Sequence, residues 1–486
     1  MNTNNYKRNL TLLTDLYELT MMNGYLKNGK SSEVVIFDVF FRQNELITYS
    51  LSAGLEQAID YVLNLRFDKD DISYLRGLNL FSEEFLSYLE NMRFTGDIYS
   101  VPEGTMVFPG EPILTVKAPV IEAQLIETAL LNIINHQTLI ASKAAKICHA
   151  AQGDNIMEFG LRRAQGPDAG IYGSRASIIG GCNSTSNVLA GKMFDIPVAG
   201  THAHSWVMSF DSEYEAFKAY ADTYPDAALF LVDTYDTLKS GIPNAIKVFD
   251  ELKAQGKKPL GIRIDSGDLA YLTKKARAML DEAGYKDAVI CASGDLDEKL
   301  VQSLKLQGAQ IKSWGIGTKL ITSADMPALG GVYKLAGVVN SDGSITPKIK
   351  VSETSAKITN PGFKKILRIY DKKTGKAEAD LIALVGEEFD ETKPLTITHP
   401  IEQWKKMTFT DYSVRELSVK IVENGKLVYK FPTVKEIKEY AKCEKQSFWE
   451  EYLRLDKPHI YKVDLSDKLL SLKNEMLAEI RKPKGR

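Results

Sequence analysis

Cysteine is scarce in this chain. Only 4 cysteines occur among 486 residues, and no two of them form a Cys-x-x-Cys pair. They are Cys148, Cys182, Cys291 and Cys443. Disulfide frameworks and zinc ribbons need closely spaced cysteines, so this usage argues against both. We therefore expect a cytoplasmic protein of the reducing cytosol.

The chain also lacks an excess of either charge and long apolar runs. Its 61 Lys and Arg residues nearly balance 63 Asp and Glu residues, which leaves a formal net charge of -2. No global field attracts nucleic acid or an anionic membrane, so any anion must be bound by a local site. No stretch approaches the roughly 18 apolar residues that span a bilayer, and the first residues show no signal-peptide pattern. We expect no nucleic acid, no membrane and no export.

The composition that remains is that of a folded globular protein. Hydrophobic residues make up 44% and charged residues 26% of the chain, which are ordinary values. The length predicts roughly two to three domains. The residue pattern changes near residues 125 and 345, so we divide the chain into segments 1–125, 126–345 and 346–486.

The first segment has a mixed α/β pattern. It predicts a helix over 11–29, a strand over 34–42, a helix over 52–65 and short strands within 96–119. Thr14 or Asp15 would cap the first helix, Gly29 would end it, and Tyr17 would lie in its first turn. The short strands loosely resemble a lipoyl or biotin carrier domain, but their turns, Pro-Glu-Gly and Pro-Gly-Glu, lack the lysine that a carrier modifies.

The second segment repeats short apolar strands followed by polar turns and helical patterns. After two predicted Ala- and Leu-rich helices, the strands lie within 155–166, 196–206, 227–237, 259–268, 288–297 and 311–320. Such spacing is typical of βα units with parallel strands. No unit carries the GxGxxG of a Rossmann fold, and charged or hydroxyl residues follow nearly every strand. We therefore predict an irregular α/β barrel, with a Lys-rich α+β extension after it whose tail, 433–481, is helical.

The predicted strand ends carry groups that bind phosphates. Arginines and Gly-rich turns that open helices form anion sites, and nearby carboxylates suit Mg²⁺ between phosphates. The Arg-Ile-Asp-Ser-Gly-Asp turn, residues 263–268, places one arginine and two aspartates on one loop, which is costly unless they meet a ligand or one another. The pattern indicates an enzyme that acts on phosphorylated substrates.

Two histidines, His202 and His204, stand two residues apart in a predicted strand, which would project both imidazoles to one side. No third His or Cys lies nearby, and the chain has only 6 histidines, so a zinc site is disfavoured. A nucleophilic or proton-transferring histidine is favoured, and a structural histidine stays open.

Ordered motifs from about residue 11 to 370 resemble the nicotinate phosphoribosyltransferase family. They include TDLYELTMMNGY, SAGLEQ, EFGLRRAQGPDAG, VAGTHAHSW, IRIDSGDL, ASGDLD and GIGTKL. The resemblance implies a type II phosphoribosyltransferase fold, with an N-terminal α/β sandwich, an irregular barrel and a homodimer with shared active sites. It implies transfer of a phosphoribosyl group from 5-phosphoribosyl 1-pyrophosphate to nicotinate in NAD salvage, with Mg²⁺ and with ATP hydrolysed through a transient phosphohistidine.

Carried over by motif, the phosphohistidine is His204, whereas His202 stands at a variable position and receives no role. Arg263 matches a position that contacts nicotinate or the phosphates. Asp265 matches the acidic residue near the ribose hydroxyls and the metal.

The resemblance also implies the residues that bind the substrates. Phe159 and Tyr17 would sandwich the pyridine ring, with Tyr17 coming from the partner subunit. Arg162 and Thr201 match positions that contact nicotinate or adjacent phosphates. Four further residues fall on loops that hold the ribose phosphate, namely Gly294, Gly315, Gly317 and Thr318.

Two departures from the family pattern stand out. Glu45 follows Asn44 where the family often has proline, which concerns a turn. Nicotinamide-using relatives carry an acidic residue in the segment aligned with 183–186, which is neutral here and so favours a carboxylate substrate. Nicotinamide or quinolinate as substrate, and a non-enzymatic nucleotide-binding regulator, remain the alternatives.

Overall fold

The computed structural model describes residues 8–43, 48–354 and 357–481, so Asn44 and Glu45 lie outside the described residues. The chain forms two compact units, one of Met1–Leu139 with Ala328–Arg486 and one of Ile140–Pro327. In the described ranges, no helix is both long and apolar enough to cross a bilayer.

Within these ranges the α-helices are α1 (Leu16–Lys27), α2 (Leu55–Leu63), α3 (Lys69–Gly77), α4 (Glu83–Asn91), α5 (Val120–Leu125), α6 (Glu127–Ala150), α7 (Pro167–Gly180), α8 (Val188–Phe194), α9 (His204–Met208), α10 (Glu213–Thr223), α11 (Ile242–Ala254), α12 (Leu269–Glu282), α13 (Glu298–Leu306), α14 (Thr318–Ile321), α15 (Val434–Gln446), α16 (Glu450–Leu453) and α17 (Asp467–Arg481). Short 3₁₀ turns cover Leu161–Arg163 and Pro225–Ala227, and a π-helical turn covers Thr237–Gly241.

The strands of the described ranges are β1 (Val34–Phe41), β2 (Ser50–Leu51), β3 (Asp97–Ser100), β4 (Met106–Val107), β5 (Leu114–Pro119), β6 (Asn155–Glu158), β7 (Ser184–Thr185), β8 (Leu229–Leu231), β9 (Gly261–Ile264), β10 (Val289–Gly294), β11 (Ser313–Ile316), β12 (Gly331–Val339), β13 (Ile345–Pro347), β14 (Lys364–Asp371), β15 (Ala377–Leu384), β16 (Leu395–Thr398), β17 (Lys406–Phe409), β18 (Tyr412–Glu416), β19 (Val419–Glu423), β20 (Lys426–Leu427) and β21 (Lys462–Leu465).

The first unit is built around two larger sheets. One is antiparallel with the order β13-β12-β1-β5-β3-β19-β20, and the other has the order β17-β16-β21-β15-β14-β18. The first of these sheets takes strands from all three sequence segments, because β12 pairs along the whole of β1 and β19 pairs with β3. Residues 331–345, which the sequence assigns to the catalytic segment, thus belong to the first unit.

Helix α1 starts close to where the sequence predicts. Asp15 is its N-cap residue, and its carboxylate accepts a hydrogen bond from the Thr128 hydroxyl at 3.0 Å rather than from the helix's own amides. Gly29 follows the helix with φ of +67°, a conformation that favours glycine. Tyr17 lies in the first turn, as predicted.

The second unit contains a parallel six-stranded sheet with the order β7-β6-β11-β10-β9-β8. Helices connect the neighbouring strands, for example α11 between β8 and β9 and α12 between β9 and β10. The prediction of parallel βα units is confirmed, and the chain is a multi-domain α/β protein. The order is cyclic in sequence, and its two ends, β7 and β8, are consecutive strands.

Two predicted elements of this region differ from the structure. The two helices expected after residue 126 are largely one helix, α6, because nothing between them breaks the α-helical pattern. The strand expected within 196–206 is reduced to a single parallel bridge between Val198 and Thr185 in the described chain. The missed strand, β7, has only two residues, too few for a recognisable alternation.

Candidate active site

The C-terminal ends of the parallel strands bring the polar residues of the second unit to one edge of the sheet. Phe159 follows β6 and its amide continues the ladder by donating to the Ile316 carbonyl at 2.8 Å. Asp233 follows β8, Asp265 follows β9, and Ser293 stands near the end of β10. Parallel pairing of neighbouring strands therefore explains why residues more than 100 positions apart in sequence form one site.

The half-buried ring of Phe159 lies between Gly315 and Arg263. A Cβ atom on Gly315 would stand 2.6 Å from the Phe159 ring, so only glycine fits beside the aromatic side chain. The guanidinium carbon of Arg263 lies 5.5 Å from the ring centroid. A flat apolar surface is thus presented next to a cation.

Arg263 connects the ends of β9 and β10 with the loop that contains Thr201. Its guanidinium donates to Ser293 Oγ at 2.6 Å, to Thr201 Oγ1 at 2.8 Å and to Asp265 Oδ1 at 2.8 Å. Three hydrogen bonds fix the planar fork of this largely buried arginine, which leaves its charge in place for an anion. The prediction that Arg263 and Asp265 meet one another or a ligand is confirmed for their mutual contact.

Asp265 is held in its ionised form. Burial opposes ionisation, but the hydrogen bond from the Ser293 hydroxyl and the guanidinium of Arg263 lower the pKa of Asp265 below its usual value. Both contacts engage Oδ1. Among the described residues no donor contacts Oδ2, and the side chain is 31% exposed. One carboxylate oxygen is therefore available to a cation.

His204, the first residue of α9, pairs with a buried carboxylate. Its Nε2 lies 3.1 Å from Asp233 Oδ1, and the side chain of Asp233 is only 2% exposed. The second oxygen of Asp233 accepts from the Asp265 amide at 2.9 Å and from the Ser266 hydroxyl at 2.7 Å. An ionised Asp233 accepts from Nε2–H, so the lone pair of a neutral His204 stands on Nδ1.

The glycines of the neighbouring loops let backbone approach backbone. Gly294 has φ of +117°, and a Cβ there would stand 2.8 Å from the Asp265 carbonyl oxygen. A Cβ on Gly317 would stand 3.0 Å from the Phe159 carbonyl oxygen. Thr318 starts the short helix α14 directly afterwards. Gly315, Gly317 and Thr318 are therefore grouped around Phe159, and Gly294 is next to Asp265.

Two predicted residues are not joined to this cluster. The guanidinium of Arg162, on an exposed 3₁₀ turn, makes no hydrogen bond or ion pair with any described residue. Tyr17 belongs to the first unit, where its side chain is 47% exposed.

The neutral segment 183–186 has a buried carboxylate beside it. Glu158 is fully buried and accepts from Ser174 Oγ at 2.9 Å, from Thr185 Oγ1 at 2.6 Å and from the Gly160 amide. Its charge is therefore satisfied within the protein, and it anchors Thr185 next to the Phe159 backbone.

The sequence pattern places Asp233 among the carboxylates at the predicted strand ends, without a specific partner, and it assigns no role to Ser293 or Glu158. Ser293 could have been found by its place at the end of a strand, as Arg263 was. Other acidic residues at these ends are structural, since Asp236 and Asp268 cap the amides of the helical turns that follow them. In the described part of the chain, no group of three or more His, Cys, Asp or Glu side chains is placed to hold a metal.

Comparison with known proteins places this geometry in a family. Models of the nicotinate phosphoribosyltransferase N-terminal domain, family and C-terminal domain match residues 12–135, 155–372 and 363–473. The chain is 48% identical over 473 residues to nicotinate phosphoribosyltransferase of Bacillus subtilis (strain 168), covering 97% of this chain and 96% of that protein. It is 36% identical to the Caenorhabditis elegans protein of the same name, covering 94% of this chain and 92% of that protein.

A solved structure agrees. The crystal structure of human nicotinic acid phosphoribosyltransferase superposes with a TM-score of 0.83 at 28% identity, covering 96% of this chain and 99% of the human chain. Together with the full-length sequence identity and the three matching family models, this superposition shows that the chain belongs to the nicotinate phosphoribosyltransferase family.

Proposed function

We propose that this protein transfers the 5-phosphoribosyl group of 5-phosphoribosyl 1-pyrophosphate to nicotinate, which yields nicotinate mononucleotide and pyrophosphate in NAD salvage. One observation carries the proposal, namely the Phe159 ring held beside Arg263 and Gly315 at the strand ends. A flat ring with a carboxylate can stack on the phenylalanine while a guanidinium faces its charge. Membership of the family supports the same activity.

In this reaction the protein mainly positions the substrates and neutralises the negative charge of the leaving pyrophosphate. Loss of pyrophosphate from the ribose carbon passes through an oxocarbenium-like state, and the pyridine nitrogen attacks with a lone pair that needs no general base. Phe159 orients the ring, and Arg263, with Arg162 and Thr201, contacts nicotinate or the phosphates. The turns with Gly294, Gly315, Gly317 and Thr318 receive the ribose phosphate, because their glycines leave backbone amides accessible.

The carboxylate of Asp265 is suited to be a ligand of a magnesium ion. Its free Oδ2 is a hard oxygen donor, and Mg²⁺ binds through one or two carboxylates with waters and substrate phosphates. When bound, the ion would neutralise the pyrophosphate that leaves. Arg263 and Ser293 hold the carboxylate of Asp265 in place for this role.

We further propose that His204 carries the phosphoryl group that couples ATP hydrolysis to the reaction. The Nδ1 lone pair forms the bond to the terminal phosphorus of ATP, the bond from that phosphorus to the bridging oxygen breaks, and ADP leaves. Asp233 keeps the Nε2 proton in place and stabilises the imidazole as charge develops. The phosphoryl group adds roughly two negative charges beside Arg263 and the glycine turns, which can reorder them.

Helix α1 supports a homodimer. The apolar side chains of Leu13, Leu16, Tyr17 and Met21 are 39% to 51% exposed. A second copy of this chain would cover this face and would receive Tyr17 as the other half of the ring-binding pair. Sedimentation at micromolar concentration should give the dimer mass, and a monomer would contradict this arrangement.

We propose that the protein works in the reducing cytosol. We also propose that the parallel sheet closes into the irregular barrel expected from the sequence. The cyclic strand order and the bridge from Thr185 to Val198 support closure, because both bring the chain after β7 toward β8. Closure would surround the strand ends and give the site a wall on every side. Small-angle scattering that fits an open sheet in place of a closed one would contradict it.

Product formation tests the proposed reaction. Phosphoribosyl pyrophosphate and Mg²⁺ are supplied with nicotinate, nicotinamide or quinolinate, each with and without ATP. We expect turnover of nicotinate alone, stimulated by ATP. Equal turnover of nicotinamide would show that segment 183–186 does not select the carboxylate, and quinolinate turnover with CO₂ release would assign the other reaction.

Gly315→Ala tests the ring-binding geometry. The added Cβ would press on the Phe159 ring at 2.6 Å and displace it, so the variant should lose the stacking surface. We expect the KM for nicotinate to rise about 10-fold, in line with loss of an aromatic contact of about 1 kcal/mol and of buried ring area. Gly77→Ala at the exposed end of α3, where no atom lies within 4 Å of the added Cβ, is the control for a glycine substitution. An unchanged KM in Gly315→Ala would remove Phe159 from the nicotinate site.

A further inference from the structure

His202 is buried and makes a contact that the sequence pattern does not predict. Its side chain is 7% exposed, and its Nε2 accepts a hydrogen bond from the Leu231 backbone amide at 3.3 Å. Elsewhere in a sheet, a carbonyl of the neighbouring strand accepts the hydrogen bond from such an amide, and here the His202 side chain accepts it instead.

The Leu231 amide stands on the free edge of β8. On the other edge β8 pairs with β9, and the Val232 amide donates to the Arg263 carbonyl at 3.0 Å. Successive amides of a strand point to opposite edges, so the Leu231 amide points away from β9. β8 is the last strand of its sheet in the described residues, and Leu231 is only 1% exposed. The amide would be buried without a partner if His202 did not accept from it.

Aromatic rings keep His202 neutral and in place. The ring centroids of Tyr220, Phe217 and Phe230 lie 4.9, 6.0 and 6.4 Å from that of His202. Burial, together with the charge of Arg263, lowers the pKa of His202 to about 4. A neutral imidazole has a lone pair on one ring nitrogen, and the bond from the Leu231 amide places that lone pair on Nε2.

The same two segments meet again two residues further along each. His204 contacts Asp233, two positions after Leu231, so segments 202–204 and 231–233 are joined at two points. The contact between His202 and Leu231 is neutral and buried, and the contact between His204 and Asp233 contains the proposed phosphoryl carrier. Thr201, the residue before this segment, accepts a hydrogen bond from Arg263, which also ties the N-terminal end of the segment to β9.

We propose that His202 is a positioning residue, whose bond to the Leu231 amide fixes segment 202–204 against 231–233 and so holds His204 and Asp233 in reactive geometry. The catalytic part of this inference rests on the proposed function, because it requires His204 to carry the phosphoryl group. The structural part, protection of the Leu231 amide, does not depend on it.

Two substitutions separate the acceptor from the ring. His202→Gln places an amide oxygen where Nε2 accepts, whereas His202→Phe fills the aromatic surroundings and accepts nothing. Tyr220→Phe is the matched control, since it alters a ring that touches His202 and leaves the contact with Leu231 intact. Hydrogen–deuterium exchange of the peptide that contains Leu231 is measured together with the rate of ATP-dependent phosphorylation and the KM for nicotinate.

In His202→Phe we expect the hydrogen–deuterium exchange rate at Leu231 to rise at least ~10-fold, because a buried donor loses its partner. The phosphorylation rate should fall at least ~10-fold. The KM for nicotinate should stay within about 2-fold, since the ring site around Phe159 is untouched. His202→Gln and Tyr220→Phe should resemble the wild type in all three measurements. If His202→Phe does not fold, His202→Asn, whose shorter amide does not reach Leu231, takes its place.

The inference would be overturned if His202→Phe, which lacks the acceptor, showed the wild-type exchange rate at Leu231 and the wild-type phosphorylation rate. A folded His202→Gln protein that behaves like His202→Phe would also overturn it, because the acceptor would then not be what matters. A wild type that turns over nicotinate without ever phosphorylating His204 would remove the catalytic part and the ATP proposal together, while the exchange result would still decide whether His202 protects the β8 edge.

Discussion

His204→Ala should lose all stimulation by ATP while keeping its fold. The imidazole contacts Asp233 at the surface of the site and is 40% exposed, so its removal leaves no large cavity. Without Nδ1 no phosphoryl group can be transferred, and ATP hydrolysis should fall to the background rate. Turnover of nicotinate should persist only at the unstimulated rate, because Phe159, Arg263 and the glycine turns are unchanged.

Asp233→Asn makes a sharper variant of the same test. The amide can donate to Nε2, which moves the histidine proton to Nδ1, the atom proposed to attack phosphorus. Phosphorylation of His204 should then fall by about 10²-fold or more, as expected when a histidine is held in the wrong tautomer. Rapid-quench labelling with γ-³²P-ATP measures this rate, and acid-labile, alkali-stable label identifies phosphohistidine.

A matched histidine controls for the loss of an imidazole. His459 is exposed, and His459→Ala should keep wild-type ATP stimulation. Full ATP stimulation in His204→Ala would contradict the proposed coupling. A variant that loses the unstimulated reaction to the same extent would instead make His204 part of substrate binding.

Arg368→Met should unfold the first unit at much lower denaturant concentration. Arg368 is fully buried on β14, where it donates to both oxygens of Asp380 at 2.9 and 2.7 Å and to Glu444 at 2.8 Å. A further bond runs to the Met106 carbonyl at 2.7 Å, and the guanidinium lies 4.8 Å from the Phe448 ring centroid. Methionine keeps much of the volume and none of the charge.

The loss follows from the carboxylates that remain. Asp380 would be left buried without its cation, and Glu444 would keep only its bond from Arg415, which costs about 3–5 kcal/mol for a broken buried pair. The neighbouring Glu111 is a further buried carboxyl, whose pKa burial and the nearby Asp380 raise well above the usual value, and it supplies no replacement cation. Urea unfolding followed by tryptophan fluorescence measures the midpoint.

Lys365→Met on the same strand provides the control. Its ammonium lies 3.6 Å from the half-exposed Glu416 carboxylate, a kind of pair that contributes about 0–1 kcal/mol. A loss in Arg368→Met no larger than that in Lys365→Met would show that the buried network does not stabilise the fold.

The sequence by itself determined the local elements and the family. The alternation of strands and helices after residue 150 and the N-cap at Asp15 follow from side-chain pattern and turn residues, which are local properties. Phosphate binding at the strand ends stays a prediction from the same pattern. The motifs around Phe159, His204 and Arg263 were sufficient to indicate nicotinate phosphoribosyltransferase, which the comparisons confirmed.

Only the tertiary structure decided which residues meet. The pairing of β12 with β1 joins segments almost 300 positions apart, and no local pattern encodes such a partner. For the same reason Asp233 and Ser293 became visible as partners of His204 and Arg263 only when parallel pairing aligned β8, β9 and β10. The two histidines also differ in their partners, because His202 accepts from the Leu231 amide whereas His204 contacts the Asp233 carboxylate. The strand that would give both imidazoles a common direction does not form, and β8 with the residues after it gives each imidazole its partner.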